Sequence, residues 1–159
     1  MTAKVSSIDL VKGWISAYES NNLDYLREHT SEDFAISGAT PQPINRKDFT
    51  EFYPHLLRSF PDWRFNASNY KVVGDRVTCS VRITCIHSGV LDFPMLNIQG
   101  YQPTGKRVRL PLEQNTYVVR NGKVAHLEVE KVDGGGIPGI LTQIGAMQTQ
   151  PEKSRSRSK

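Results

Sequence analysis

"NTYVVRNGKVAHLEVEKVD", residues 115–133, decides the fold. Two runs rich in β-branched and apolar residues flank Asn121-Gly122, the pair best suited to a two-residue type I′ turn, in which both central residues take positive φ. With that turn Arg120 opposes Lys123, and the register follows outward: Tyr117 opposite His126, Asn115 opposite Glu128, and Glu113 opposite Glu130. Directly opposed residues share a side. These six side chains are therefore expected on one face, with Leu112, Thr116, Val118, Ala125, Leu127 and Val129 on the other.

Upstream the period-two pattern continues. In "YKVVGDRVTCSVRITCI" (70–86) Gly74-Asp75 suits a second hairpin turn, and Val77, Cys79, Val81, Ile83 and Cys85 face one way. "GVLDFPMLNIQGYQPTG" (89–105) is rich in Gly and Pro and reads as an irregular connection. "KRVRLPLEQNTYVV" (106–119) and "KVAHLEVEKV" (123–132) are the last two strands. After them "GGGIP" breaks the sheet, and "GILTQIGAM" closes with a helical turn.

The N-terminal part repeats with helical spacing instead. Ser6 or Ser7 caps a helix carrying Leu10, Val11, Trp14, Ile15 and Tyr18, and Asn22 caps a short second one. "DFAIS" (33–37) is a brief strand. "NRKDFTEFYPHLLRSF" (45–60) restores helical spacing through Phe49, Phe52, Tyr53, Leu56, Leu57 and Phe60, with a kink expected at Pro54. Helices first and strands afterwards give an α+β architecture, helices on one face of an antiparallel sheet.

The 159 residues suffice for one core, and no apolar run approaches the roughly 20 residues of a membrane span. Residues 1–14 lack the apolar stretch of a secretory signal, so a cytoplasmic location is expected. Cys79 and Cys85 sit six residues apart in one strand, about 20 Å at about 3.3 Å per residue, too far for a disulfide. Of the net charge of +4, Lys153, Arg155, Arg157 and Lys159 lie in the last ten residues; setting them and Glu152 aside leaves 16 bases against 15 acids. A nearly neutral domain over 1–146 and a disordered basic tail over 147–159 follow, with neither nucleic acid nor membrane as partner.

His29, His55, His87 and His126 show no metal-ligand spacing, no C-x-x-C exists, and no nucleotide-binding or hydrolase-elbow motif occurs. The polar hairpin face carries the chemistry that is left. Either it is the solvated side of a half-buried sheet, where screening makes Glu113 beside Glu130 nearly harmless, or it lines a cavity roofed by the helices. In a cavity, desolvation raises at least one carboxyl pKa, and one acid donates while its ionised partner accepts. Tyr117, Asn115 and His126 then orient a substrate oxygen, and Phe49 and Tyr53 form the apolar wall. Asp62 either caps a turn or points into the cavity mouth as an extra acid.

The ordered segments "VKGWISAYESNNLDYLREHTSEDF", "FYPHLLRSFPDWRF", "VVGDRVTCSVRITCIHSG", "PTGKRVRLP", "YVVRNGKV" and "GILTQIGA" resemble the SnoaL-like polyketide cyclases of the nuclear transport factor 2-like superfamily, including fungal isomerases of natural-product pathways. The likeness covers roughly residues 8–146. It implies a cone-shaped barrel of curved antiparallel sheet around the N-terminal helices, with a pocket between them. It also implies a homodimer, and ring closure or rearrangement by proton transfer without a cofactor. The substrate implied is a polycyclic polyketide or meroterpenoid intermediate. The family's histidine place falls at Asn115 and its aspartate place near Val129, flanked by Glu128 and Glu130. That departure favours an isomerising relative with Glu130 and Glu113 as the acid/base pair, and Glu128 and His126 as a second proton-handling couple. The alternative is a noncatalytic domain of the same fold that binds a small hydrophobic ligand or associates with a protein.

Overall fold

The computed structural model describes residues 6–40, 42–93 and 97–146, and among these the chain forms four helices and ten strands. The expected basic tail over 147–159 lies outside them. Helix α1 (Ser7–Glu19) starts where Ser6 Oγ accepts the Asp9 amide at 3.1 Å, and α2 (Leu23–Glu28) where Asn22 accepts that of Tyr25. Helix α3 (Arg46–Ser59) is capped by Asn45 and runs through Pro54 without ending there. Each cap satisfies a donor that the first helical turn leaves free.

A six-stranded sheet runs in the order β2-β1-β10-β9-β4-β3. Its strands are β1 (Thr30–Ser37), β2 (Ile44–Asn45), β3 (Ser68–Val73), β4 (Arg76–Val81), β9 (Glu113–Arg120) and β10 (Lys123–Val129). Strand β1 is longer than the pentapeptide expected, and it pairs with β10 in parallel while the other neighbours are antiparallel. Strand β5 (Thr84–Ile86) pairs with β8 (Arg107–Arg109), and β6 (Leu91–Phe93) with β7 (Ile98–Tyr101). The segment expected to be irregular thus holds a hairpin, because Leu91 and Phe93 alternate into the core between turn-forming neighbours. The single strand expected over 106–119 divides at Pro111, which cannot donate to a ladder.

The helices cover the inner face of this sheet. Trp14 of α1 is fully buried against the rings of Tyr18, Phe34, Phe49 and Tyr117, and its Nε1–H donates to Thr30 Oγ1 at 3.0 Å. Val77, Cys79, Val81, Ile83 and Cys85 all face inward as their alternation requires, and both cysteines are free thiols pushed up to about 12 by burial. Gly38 ends β1 at φ +94°, and a Cβ there would overlap the Val129 carbonyl, so the sheet closes at this corner only over a residue without a side chain.

Helix α4 (Gly136–Ile144) closes the cone. Gln143 joins it to β8 twice: Oε1 accepts the Arg109 amide and Nε2 donates to the Arg109 carbonyl, both at 2.9 Å. Among the described residues no helix is long and apolar enough to cross a membrane.

Candidate active site

The Asn121-Gly122 turn forms as its chemistry demands, with φ of 53° and 73° and Arg120 opposite Lys123. One pair later, after Val124 opposite Val119, the register slips. His126 then pairs with Val118, Leu127 with Tyr117, Glu128 with Thr116 and Val129 with Asn115, leaving Ala125 as an extra residue on β10. A one-residue bulge moves every later side chain to the other face. The cause is apolar: Val124 and Ala125 are adjacent and both buried, and the slip lets Leu127 join them inside.

The six polar residues expected on one face are therefore divided. Glu113, Asn115 and Tyr117 point inward and are buried. His126, Glu128 and Glu130 lie on the outer face, which corrects the expected opposition of Glu113 and Glu130 and the expected place of Glu128 and His126 as a second proton-handling couple in the cavity. His126 Nε2 sits 3.1 Å from Ser37 Oγ, Glu128 forms a half-exposed ion pair with Arg76 at 3.5 Å, and exposed Glu130 accepts the Gln114 amide at 2.8 Å.

The inner face meets α3 and α4 around a cavity of about 70 Å³. Ile36, Ile44, Leu56, Ile83, Leu127 and Ile140 supply much of its apolar wall, with Trp63 and Phe65 closing one side. Two expected wall residues stand elsewhere. Phe49 and Tyr53 occupy the neighbouring row of α3 and pack under α1, where Tyr53 OH donates to the Tyr18 carbonyl at 2.6 Å. Phe52 and Leu56 take their place, one step around the same helix. Asp62 is exposed and its Oδ1 accepts the Ile86 amide at 2.9 Å, so it caps β5 and does not enter the cavity. Tyr117 is buried beside Trp14 and is not among the residues of the cavity wall.

Two expected residues do line the cavity, Glu113 and Asn115, side by side on β9. Glu113 Oε1 and Asn115 Oδ1 are both buried, and among the described residues neither has a hydrogen-bond partner. Burial pushes the Glu113 carboxyl up from the ordinary glutamate value of 4.5 to about 7; the Asn115 amide opposes the shift and the Glu130 charge adds to it. The backbone before α4 runs near the same group: a Cβ built on Gly135 would stand in ordinary van der Waals contact with Oε1, at 3.7 Å. A carboxyl poised near neutrality exchanges a proton in either direction, the requirement for general acid/base work.

Trp63 was not among the residues expected at the site. It lines the cavity, and its buried Nε1–H also has no partner among the described residues. Its alternation with Phe65 in "PDWRF" marks an inward position, but nothing in the spelling distinguishes a tryptophan that bonds inside the protein from one that does not. Among the described residues no three His, Cys, Asp or Glu side chains converge as a metal site would need.

The family model of the SnoaL-like polyketide cyclases matches residues 8–129. Among solved structures, IdmH of Streptomyces antibioticus, a candidate polyketide cyclase, superposes with a TM-score of 0.66 at 22% identity over 89% of this chain and 99% of that one. AclR of Streptomyces galilaeus, a candidate hydroxylase, gives 0.67 at 20% identity, over 92% and 89%. A SnoaL-like polyketide cyclase of Agrobacterium tumefaciens gives 0.61 at 14%, over 80% and 91%. No curated protein matches the chain. At these identities the solved structures speak for the fold, a helix-filled cone of curved sheet. The family match spans most of the chain, and the chain belongs to the SnoaL-like polyketide cyclase family.

Proposed function

We propose that the chain is a proton-transferring isomerase or cyclase for a neutral, carbonyl-bearing polycyclic polyketide or meroterpenoid, with Glu113 as its acid/base group and no cofactor. The observation that carries this reading is the Glu113 carboxyl, buried in an apolar cavity, unpartnered at Oε1 and pushed up to about 7. Desolvation makes such a carboxylate a stronger base than one in water, and protonated it is an acid at the same pH.

The chemistry needs one inward carboxyl. A hydrogen α to the substrate carbonyl passes to Glu113 as a proton, and the C–H electron pair becomes the π bond of an enolate. Returned to a different atom, the same proton yields an isomer. If the enolate carbon first attacks a second carbonyl of the same molecule, Glu113 protonates the alkoxide formed and a ring is closed. Asn115, beside Glu113 on β9, accepts a hydroxyl or enol hydrogen of the same molecule through Oδ1. Glu130 contributes its charge from the outer face, and Glu128 and His126 take no part in the transfer.

Kemp elimination of 5-nitrobenzisoxazole tests this without the natural substrate. The base removes the C3 proton, the N–O bond breaks, and a coloured cyanophenolate appears. The parent protein is expected to show a rate that rises with pH around a midpoint near 7, the value to which Glu113 is pushed. Glu113→Gln should lower that rate by about a hundredfold. The groups facing Glu113 are Asn115 and Tyr117 on β9, Cys79 on β4 and the Glu130 charge. Equal rates in parent and Glu113→Gln, both folded by circular dichroism, would overturn the proposal. They would favour the rival use of the same apolar walls, the carriage of a hydrophobic ligand.

A further inference from the structure

The chain has two tryptophans, and both are buried. Trp14 Nε1–H donates to Thr30 Oγ1 at 3.0 Å. Among the described residues Trp63 Nε1–H has no partner. A buried N–H left unbonded carries the full penalty of leaving water, so a folded protein rarely keeps one where packing could be satisfied otherwise. Tryptophan is also a poor choice for mere filling here, because phenylalanine offers a similar apolar face without the donor.

Trp63 is held rigidly. Its amide donates to the Phe60 carbonyl at 3.1 Å, and the next residue, Arg64, exchanges two 3.0 Å bonds with Thr84. Its ring stands edge-on to Phe60 and Phe65, at centroid distances of 6.3 and 5.8 Å, and tilted against Tyr18 at 6.1 Å. An unbonded donor fixed this way is preorganised, with little rotamer freedom left to lose on binding.

Three residues of the cavity wall each carry a buried polar atom without a partner among the described residues, and the three differ in kind. Trp63 Nε1–H only donates, Asn115 Oδ1 only accepts, and Glu113 Oε1 does either according to its proton. Together they match a ligand that presents an acceptor oxygen to one wall and a hydroxyl or enol hydrogen to the other.

We propose that Trp63 Nε1–H is the donor that holds the substrate's carbonyl oxygen, with Asn115 Oδ1 taking a hydroxyl or enol hydrogen of the same molecule. This rests on the cavity being the reactive site. A donor fixed on that oxygen strengthens its bond as enolate charge develops, so Trp63 lowers the barrier to the step in which Glu113 takes the proton.

The test compares two probes of nearly the same shape, 1-tetralone with a carbonyl and tetralin without one. In ¹H–¹⁵N spectra of the whole protein, 1-tetralone is expected to move the Trp63 indole proton downfield and leave that of Trp14 in place, because Trp14 is already bonded. Tetralin should produce no such downfield shift. Trp63→Phe should lower the affinity for 1-tetralone relative to tetralin by about five- to tenfold. If Trp63→Phe misfolds, the parent spectrum still decides, since Trp14→Phe assigns the two signals. No binding of 1-tetralone, an unmoved Trp63 proton in the bound state, or an unchanged affinity ratio in folded Trp63→Phe overturns the proposal. A shifted Trp63 proton with equal Kemp rates in parent and Glu113→Gln would sink the acid/base reading alone. The reverse pattern would sink the carbonyl anchor alone.

Discussion

The two faces of the β9–β10 hairpin carry glutamates a few residues apart in chemically opposite surroundings. On the outer face Glu128 shares a half-exposed ion pair with Arg76, and Glu130 accepts a backbone amide in water. On the inner face Glu113 has apolar neighbours and a carboxyl pushed up to about 7. Residue type is constant across the three positions, so solvent access is what separates a reactive acid from a surface charge. A single extra residue, Ala125, sets which side of that divide each β10 side chain occupies.

The largest expected effect tests the face assignment itself. Leu127 points inward only because of the bulge, and Leu127→Ala should cost about 2–5 kcal/mol in urea unfolding. A cost under about 0.5 kcal/mol would mean that β10 is regular and Leu127 faces water.

Next in size is the linkage of Glu113 to stability. Its carboxyl rises from 4.5 unfolded to about 7 folded, so the folded state keeps a proton that the unfolded chain releases in between. The stability this contributes is complete below pH 4.5 and is lost as pH rises through about 7. Relative to Glu113→Gln, the parent should therefore lose up to about 3 kcal/mol between pH 4.5 and 8. Parallel curves for the two proteins would place Glu113 in contact with water.

The smallest effect belongs to the outer face. Both members of the Glu128–Arg76 pair are about half exposed, and Glu128→Ala should change stability by about 0–1 kcal/mol, with less effect still in 0.5 M salt. It should leave the Kemp rate unchanged. A tenfold fall in that rate would return Glu128 to the chemistry.

The three N-terminal helices, a first cap at Ser6 or its neighbour Ser7, the cap at Asn22, both hairpin turns and the inward row from Val77 to Cys85 were legible in the sequence, because each follows from local chemistry or strict alternation. The faces of β10 were harder to read. The adjacent apolar pair Val124-Ala125 does break the alternation, and it was the one local sign that the register slips there. Once the faces exchanged, Glu113 and Asn115 kept their expected place at the cavity while Glu130, Glu128 and His126 did not. The wall contributed by α3 was missed by one step around the helix. Phe49 and Tyr53 form one apolar row and Phe52 and Leu56 the next, and which row meets the sheet depends on how α3 lies against α1, a tertiary choice. The spelling around Trp63 marked an inward position but not its unbonded donor, since an absent partner is a fact of three dimensions.

The pair of hydrogen bonds between Gln143 and Arg109 makes one side chain stand in for a neighbouring strand. Its amide offers β8 the same donor and acceptor, at 2.9 Å each, that a backbone would present on that edge. The short β5–β8 ribbon is thereby blunted against pairing with a foreign chain. The same amide moors the helix that brings Ile137 and Ile140 over the cavity, so sealing an exposed ribbon and roofing the reaction chamber fall to a single glutamine.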